Sequence, residues 1–541
     1  MNAINLRFNN GFEWVNVGNV TFKGYLFDHE GSFLTADEAA SLFLPVDGIA
    51  TLESMLQQMD GIFTLIINLP HGTLIATDPI GGFPLLYAKA DAGWFISDDA
   101  GIFAAQKREW TFNRDAQQEF LAAGFVSGNE TLVKEIQRTQ AGEIIFLHHD
   151  KKKEQKTYYW FLPDYFTIKS HSLLKQDLKE VLQNAANRLI DSLRGKTAVI
   201  PLSGGYDSRL IACMLKKAGH EQTICFTYGR PNKESDISKK VAEALGFQWI
   251  FLDYNAMDIQ GLTDDPVFID YCNYVGNISS MPYLQEYFAV KHLKEKELIP
   301  DNSIFIPGHI GDNIAGSYVE KTIRVSNNRS HNSSRDIRKG YFNFLPLSSD
   351  QEKIIESRLE KWFHSYNPPE YIADIHYDST TEDWALKERL SKFIFNSAGV
   401  FPFFGYQCRF PLFDGEFRSF FRILPYSLRK YKALYNEVLL EHYFMPLGVH
   451  FPLDVINERT LTLRFRKIKD KLRILVPYAI RKNRLKKRDY ICYHSFTAEM
   501  LKDLKAQGIK IPGKINSYNA LICLWYSDQV KRNLTDRGFS D

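Results

Sequence analysis

The stretch that most constrains this chain is residues 203–208, which read SGGYDS directly after the apolar run 197–202 and directly before the helix-like stretch 209–217. Strand, glycine turn and helix in that order build a cradle for pyrophosphate and point to ATP as ligand. Gly204 and Gly205 let backbone N–H groups approach a polyphosphate, the helix start adds the positive end of its dipole, and the hydroxyls of Ser203 and Ser208 donate further hydrogen bonds. Asp207, inside the turn, is placed to hold the magnesium that accompanies the phosphates. There is no GxxxxGK(S/T) element and no lysine in the turn, so the chemistry differs from that of a Walker loop. Serine and glycine also build ordinary turns, so the rest of the chain has to decide the matter.

With 541 residues, 45% hydrophobic and 14% aromatic, the chain has material for two or three domains with real cores. Its 66 basic and 64 acidic residues leave a net charge of +2, which gives no general electrostatic reason to expect nucleic acid as a partner. The start, MNAINLRFNN, lacks a basic segment followed by an apolar run, and no stretch approaches the roughly 18 apolar residues of a membrane span. A cytoplasmic protein is expected. The cysteines, at 213, 225, 272, 408, 492 and 523, are isolated, so neither disulfides nor zinc are expected.

Residues 1–165 read as β-rich. Strand candidates cover 15–27, 61–68 and 73–77, the last two flanking a Pro70, His71, Gly72 turn, and continue at 85–88 and 94–97. Residues 150–158 read as an edge strand leading into a linker. The second unit spans 170–541. There the period changes: Leu174, Leu178, Val181, Leu182, Ala185 and Leu189 fall on one helical face ahead of the strand that feeds SGGYDS, the expected entry into an α/β domain.

The turn resembles the PP-loop of ATP pyrophosphatases, and a wider resemblance covers nearly the whole chain. In the first half, FKGYLFD, MDGIFTLIINLPHGTLIATDPIGGFPLLYA and WFISDD look like the glutaminase-type domain of asparagine synthetases. In the second half, SGGYDS, CFTYGR with ESDISKKVAEALG, IPGHIGDNIAGSY and GYQCRFPLFD resemble the synthetase domain in the same order. The resemblance implies an α/β protein: an N-terminal αββα sandwich of the N-terminal-nucleophile hydrolase type, then a PP-loop (adenine nucleotide alpha hydrolase-like) parallel-sheet domain with C-terminal helices. It also implies a ligase that needs ATP and magnesium. A carboxylate attacks the α-phosphate, giving acyl-AMP and pyrophosphate, and an amine displaces AMP. The family's glutaminase uses a cysteine exposed after removal of Met1, whereas here residue 2 is Asn and the first cysteine is Cys213. Glutaminase activity is therefore expected to be absent, with ammonia or an amine arriving from solution, from a separate glutaminase or from the substrate itself.

Carried over residue by residue, the resemblance gives Ser203, Gly204, Gly205 and Ser208 to pyrophosphate and Asp207 with Asp312 to magnesium. The backbone of Leu202 and Tyr228 falls to the adenine edges, and Gly308 to close approach of nucleotide or acyl group. Lys432 matches a helix lysine that touches pyrophosphate in β-lactam synthetases. His309 stands where asparagine synthetases carry an acid and β-lactam-forming relatives a tyrosine. A histidine with a pKa near ~6.5 would deprotonate an incoming amine at neutral pH. Past Met445 and Pro446 the family places a lysine in a short RPK-like element, whereas here the stretch reads DVINERTLTLRFRK; Arg459 is the nearest cation, with Arg464, Arg466 and Lys467 beyond it.

Residues 459–488 carry thirteen basic residues and one acid, Asp470, interspersed with apolar ones. The segment is a solvated basic helix, a peripheral contact with an anionic membrane, or a receiver of a sugar-linked anionic substrate. The leading reading is an amide-forming ligase acting on aspartate or, by similarity to proteins of surface-polysaccharide assembly, on a uronic acid. The alternatives are an intramolecular lactam or macrolactam cyclase, a non-catalytic scaffold, and, last, a PP-loop tRNA-modifying enzyme, which would often use cysteine pairs.

Overall fold

The computed structural model describes residues 2–106, 109–317, 333–368, 377–451, 483 and 485–535. The N-terminal unit is two packed sheets. The larger runs in the order Lys153–Thr157, Glu143–His148, Gly72–Thr77, Asp60–Leu69, Val20–Phe27, Val15–Val17, with Phe33–Leu34 against Val20–Phe27, and all its pairings are antiparallel. The smaller runs Ala3–Asn5, Trp94–Ser97, Leu86–Lys89, Gln137–Arg138. Ile66, Ile75, Ile145, Tyr87 and Ile96 fill the space between the sheets. Phe63, Leu65, Ile67 and Leu74 point the other way, onto Ala39 of helix Ala36–Leu42, Phe43 at its C-cap and Leu52 of helix Ile49–Leu56. Central strands buried on both faces explain why 61–68 reads as a near-continuous apolar run. The far face of the smaller sheet, through Phe95, meets Phe103 of helix Ala100–Ala104, completing an αββα sandwich. Lys153–Thr157, rich in charge, is an edge strand of the larger sheet.

Helix His171–Leu193 opens the second unit and buries Leu174, Leu178, Leu182, Ala185 and Leu189. Five parallel strands follow, in the order Gln248–Asp253, Thr223–Gly229, Ala198–Pro201, Ile304–Phe305, Gln407–Cys408. Ala198–Pro201 has the strand that follows it in sequence on one side and a strand from after residue 300 on the other, so the order reverses there. The carboxyl end of that strand is the crevice where doubly wound sheets bind ligands.

Two glycines bring the far strand's loop against this crevice. A Cβ at Gly308 would stand 2.6 Å from Ser208 N, and one at Gly311 would stand 2.9 Å from Asp207 Oδ2. Only glycine lets loop and helix start approach so closely.

The two units are joined through buried charge. Glu388, fully buried, accepts hydrogen bonds from Gly128 N (3.0 Å), Trp362 Nε1 (2.7 Å) and Lys392 Nζ (2.7 Å). Lys392 also donates to Gly128 O at 2.6 Å.

Two outcomes are expected in denaturant unfolding. Gly308→Ala should cost about 1–3 kcal/mol, because its Cβ meets backbone that cannot swing away. Glu388→Gln should cost about 3–5 kcal/mol by leaving the Lys392 ammonium buried without its counter-charge, with part of the loss recovered when Lys392→Met is added.

Candidate active site

The turn after Ala198–Pro201 is tied down on its strand side. Leu202 N donates to Phe226 O (2.8 Å) and Leu202 O accepts from Thr227 Oγ1 (2.8 Å). Helix Tyr206–Lys217 follows with Gly205 as its N-cap and no side chain capping it, and the positive end of its dipole at the turn suits an anion. Ser203 Oγ and Ser208 Oγ lie 3.0 Å apart, Ser203 N donates to Ser208 Oγ (3.0 Å), and Gly205 N donates to Ser203 Oγ (3.2 Å). Arg209 supports the loop from beneath: it is fully buried, donates from Nη2 to Gly204 O (2.8 Å), and lies over the rings of Phe444 and Tyr206. Sequence reasoning missed it, because an arginine in the first turn of a helix reads as a solvated side chain.

Tertiary structure brings three more polar residues to the turn, Asp312, Tyr435 and Lys432. Asp207 Oδ2 accepts from the backbone N–H of Asp312 at 2.7 Å, and Asp207 Oδ1 accepts from Tyr435 Oη at 3.0 Å. Lys432 Nζ stands 3.7 Å from Asp312 Oδ2. Burial first, then the neighbouring Asp312, pushes the Asp207 carboxyl up to about 7, with Lys432 opposing them. The expected helix lysine is corrected in its setting: Lys432 has φ of 57° and caps helix Ala433–Leu439 from outside. That left-handed turn aims it at the loop bearing Asp312. Tyr435 carries no motif signal and was not foreseen.

Two oxygen-bearing acids beside an anion cradle fit magnesium, which is held by one or two carboxylates with substrate phosphates completing its shell. Among the described residues no cluster of three or more His, Cys, Asp or Glu could hold a metal on its own.

His309 lies in the same loop. Its Nε2 meets Ser397 Oγ at 3.2 Å, while Nδ1 is enclosed and has no partner. Although the residue as a whole is half-buried, its ring is desolvated, which pushes the imidazole down to about 4. The expectation of an ordinary histidine near ~6.5 is thereby corrected: the group is neutral at physiological pH. Its partner is a hydroxyl rather than a carboxylate. Ser397, in the turn Phe395–Gly399, had no signal in sequence.

Tyr228 ends the neighbouring strand half-buried. Its hydroxyl donates to Glu286 Oε1 (2.7 Å) and accepts from Gln285 Nε2 (2.8 Å), and its ring stacks on Tyr254. Burial raises Glu286 to about 7 and leaves its Oε2 without a partner. Gly308 is spent on contact with the helix start. Arg459, with Arg464, Arg466 and Lys467, lies outside the described residues, as does most of 459–488. All six cysteines are free and buried. Among the described residues no helix is long and apolar enough to cross a membrane.

Comparison with known proteins agrees with this arrangement. Residues 48–160 match the glutamine amidotransferase domain family and residues 177–391 the asparagine synthase family. Over 230 residues the chain is 25% identical to a putative glutamine-hydrolyzing asparagine synthetase of Methanocaldococcus jannaschii, covering 42% of each. Over 287 residues it is 23% identical to the microcin J25-processing protein McjC of Escherichia coli, covering 52% of each. The chain thus spans about half the length of the curated relatives it matches. Among solved structures, glutamine PRPP amidotransferase from B. subtilis aligns with 47% of this chain and 74% of its own at 11% identity and a TM-score of 0.19. NH3-dependent NAD synthetase from Campylobacter jejuni aligns with 37% and 98% at 13% identity and a TM-score of 0.17. Those structural scores are too low to carry weight. The two domain matches, in the order that the sandwich and the PP-loop sheet occupy along the chain, assign it to the asparagine synthetase family.

Proposed function

We propose that the protein is an ATP-dependent amide-forming ligase that activates a carboxylate, aspartate or a uronic acid, as acyl-AMP with release of pyrophosphate and transfers it to ammonia or another amine. The observation that carries this reading is the convergence of the 203–208 cradle, Asp207 included, with Asp312 and Lys432 at the switch point of the parallel sheet. In this reading the backbone N–H groups of the helix start and the two serine hydroxyls bind pyrophosphate, and Lys432 follows the charge that develops on it. Asp207 and Asp312 would hold magnesium, which when bound neutralises phosphate charge. His309, neutral in the empty site, would take a proton from the amine, and the negative charge of an adjacent acyl-adenylate would raise its basicity there.

The N-terminal domain is read as a wall without thiol-dependent glutaminase. Cys213 is the first cysteine, and Asn2 is used structurally: its Nδ2 donates to Leu147 O (2.7 Å) and its Oδ1 accepts from Trp94 N (3.0 Å). A second reading, a cyclase joining an amine and a carboxylate of one peptide, is favoured by the likeness to a microcin J25-processing protein.

Phosphorus NMR with Mg-ATP, ammonium and a panel of acids should show acid-dependent AMP and pyrophosphate, abolished in Asp207→Ala. Pyrophosphate release that ignores ammonium and needs a peptide bearing both groups would select the cyclase; none with any acid or peptide would leave a scaffold. In the ligand-free protein the His309 ring C–H resonance, identified by its loss in His309→Gln, should titrate near pH 4 rather than near 6.5. Because the unfolded chain takes up that proton first, His309 draws stability down as pH falls from 6.5 toward 4, and His309→Gln should lessen that fall.

A further inference from the structure

The seam between the two units holds a cavity of about 310 Å³, at the lower end of the range of about 300–1,000 Å³ common for small-molecule sites. The sandwich lines it with Gln140, with Glu143 at the start of strand Glu143–His148, and with Gln155 and Thr157 of the edge strand. The rest of the lining is largely aromatic. Trp362 of helix Ser349–His364, Tyr366 just beyond that helix and Trp160 form one run of rings, with centroids 5.0 Å apart from Trp362 to Tyr366 and 5.0 Å from Tyr366 to Trp160. Two of these residues spend their polar ends on buried acids: Tyr366 Oη donates to Asp383 Oδ2 (2.9 Å) and Trp362 Nε1 to Glu388 Oε1 (2.7 Å). What they leave for a ligand is ring surface.

The ions of the lining are paired within the protein. Arg358 meets Glu119 and Glu130 at 2.9 Å each, Lys361 meets Glu130 at 2.8 Å, Lys387 meets Asp383 at 2.8 Å and Glu388 meets Lys392 at 2.7 Å. Lys387 Nζ also stands 3.5 Å from the ring centroid of Trp160, so the place a cationic ligand would take on that ring is filled. One carboxyl is left over. Glu143 is 2% exposed, its Oε2 accepts from Gln140 N (2.9 Å), and its other oxygen has no hydrogen-bond partner among the described residues. Burial pushes it up to about 7 against the opposing Gln140 N–H and nearby lysines, so at neutral pH a large share of it carries a proton and can donate as well as accept. Gln140 spends its Nε2 on Gly128 O (2.7 Å) and Arg138 O (3.3 Å), which leaves its amide oxygen to accept.

We propose that this seam cavity binds a neutral sugar ring, its C–H face against the Trp160, Tyr366 and Trp362 run and its hydroxyls toward Glu143 and Gln140. A sugar joins an apolar face to a rim of groups that both donate and accept, which is what ring surface beside an unspent carboxyl and amide oxygen calls for. A charged ligand would find the ions here already paired. No residue of the polyphosphate cradle lines the cavity, and the inference does not require the ligase reading.

Titration of the full chain at neutral pH with glucose, galactose and N-acetylglucosamine, beside the charged glucosamine and glucuronate, tests it. The indole N–H resonances of Trp160 and Trp362, assigned by Trp160→Phe and Trp362→Phe, report location. At least one neutral sugar should shift both resonances at millimolar concentration and bind about fivefold or more tighter than either charged sugar, and Glu143→Ala should weaken it about tenfold. Glu143→Gln, which keeps a donor and an acceptor, should stay within about threefold of the unaltered protein. Asp207→Ala should leave binding unchanged. No shift with any of the three neutral sugars, tighter binding of glucosamine or glucuronate, or loss of binding in Asp207→Ala would each overturn the proposal. Should Glu143→Ala fail to fold, the order of neutral over charged sugars in the unaltered protein decides.

Discussion

One hydrogen bond fixes the candidate active site: the backbone N–H of Asp312 to the carboxylate of Asp207, joining segments 105 residues apart. It forms because Gly308 and Gly311 let the loop lie against the first turn of helix Tyr206–Lys217. Without that approach the cradle would be a helix start with serines, and Asp312, His309 and Lys432 would belong to other parts of the surface. The same contact explains why Asp207 sits near neutrality: a carboxylate drawn out of water beside a second acid, with one half-exposed lysine in opposition, is short of positive charge. A site short of positive charge in its empty state suits a ligand that arrives with a divalent cation.

The domain seam follows a related logic. Asp60 of the sandwich accepts from Gly415 N (2.6 Å) and pairs with the buried Arg418, and Asp383 accepts from Phe161 N (2.7 Å). Arg358 reaches across to Glu119 and Glu130 at 2.9 Å each. Buried ion pairs of this kind add little net stability over apolar packing, but they tolerate no sliding, since a displaced partner leaves a charge stranded. The N-terminal sandwich is thereby held in one position against the wall of the synthetase domain. That rigidity keeps its place in the architecture independent of whether it hydrolyses glutamine.

Much of the fold was legible in sequence because it is written in local periodicity. The Pro70, His71, Gly72 turn between the apolar runs 61–68 and 73–77 gave a hairpin, and the leucines from 174 to 189 gave the buried face of one long helix. The cradle was legible for the same reason: Ser203, Gly204, Gly205, Asp207 and Ser208 are neighbours along the chain. Tyr435, Ser397, Arg209 and Glu286 were not, since a tyrosine, a serine or a buried ion on an apolar helix looks like any other until its partner is known.

The sequence by itself therefore determined the order of domains, the strand–turn–helix suited to phosphates and the two distant acids suited to a cation. Tertiary structure alone decided how those groups behave. Desolvation takes His309 from an ordinary imidazole to one neutral across the physiological range, raises Asp207, and lowers Lys23 and Arg138. Residue identity sets which atoms can carry charge, but the free energy of carrying it depends on the water and partners left around them, and both are fixed only when distant segments pack.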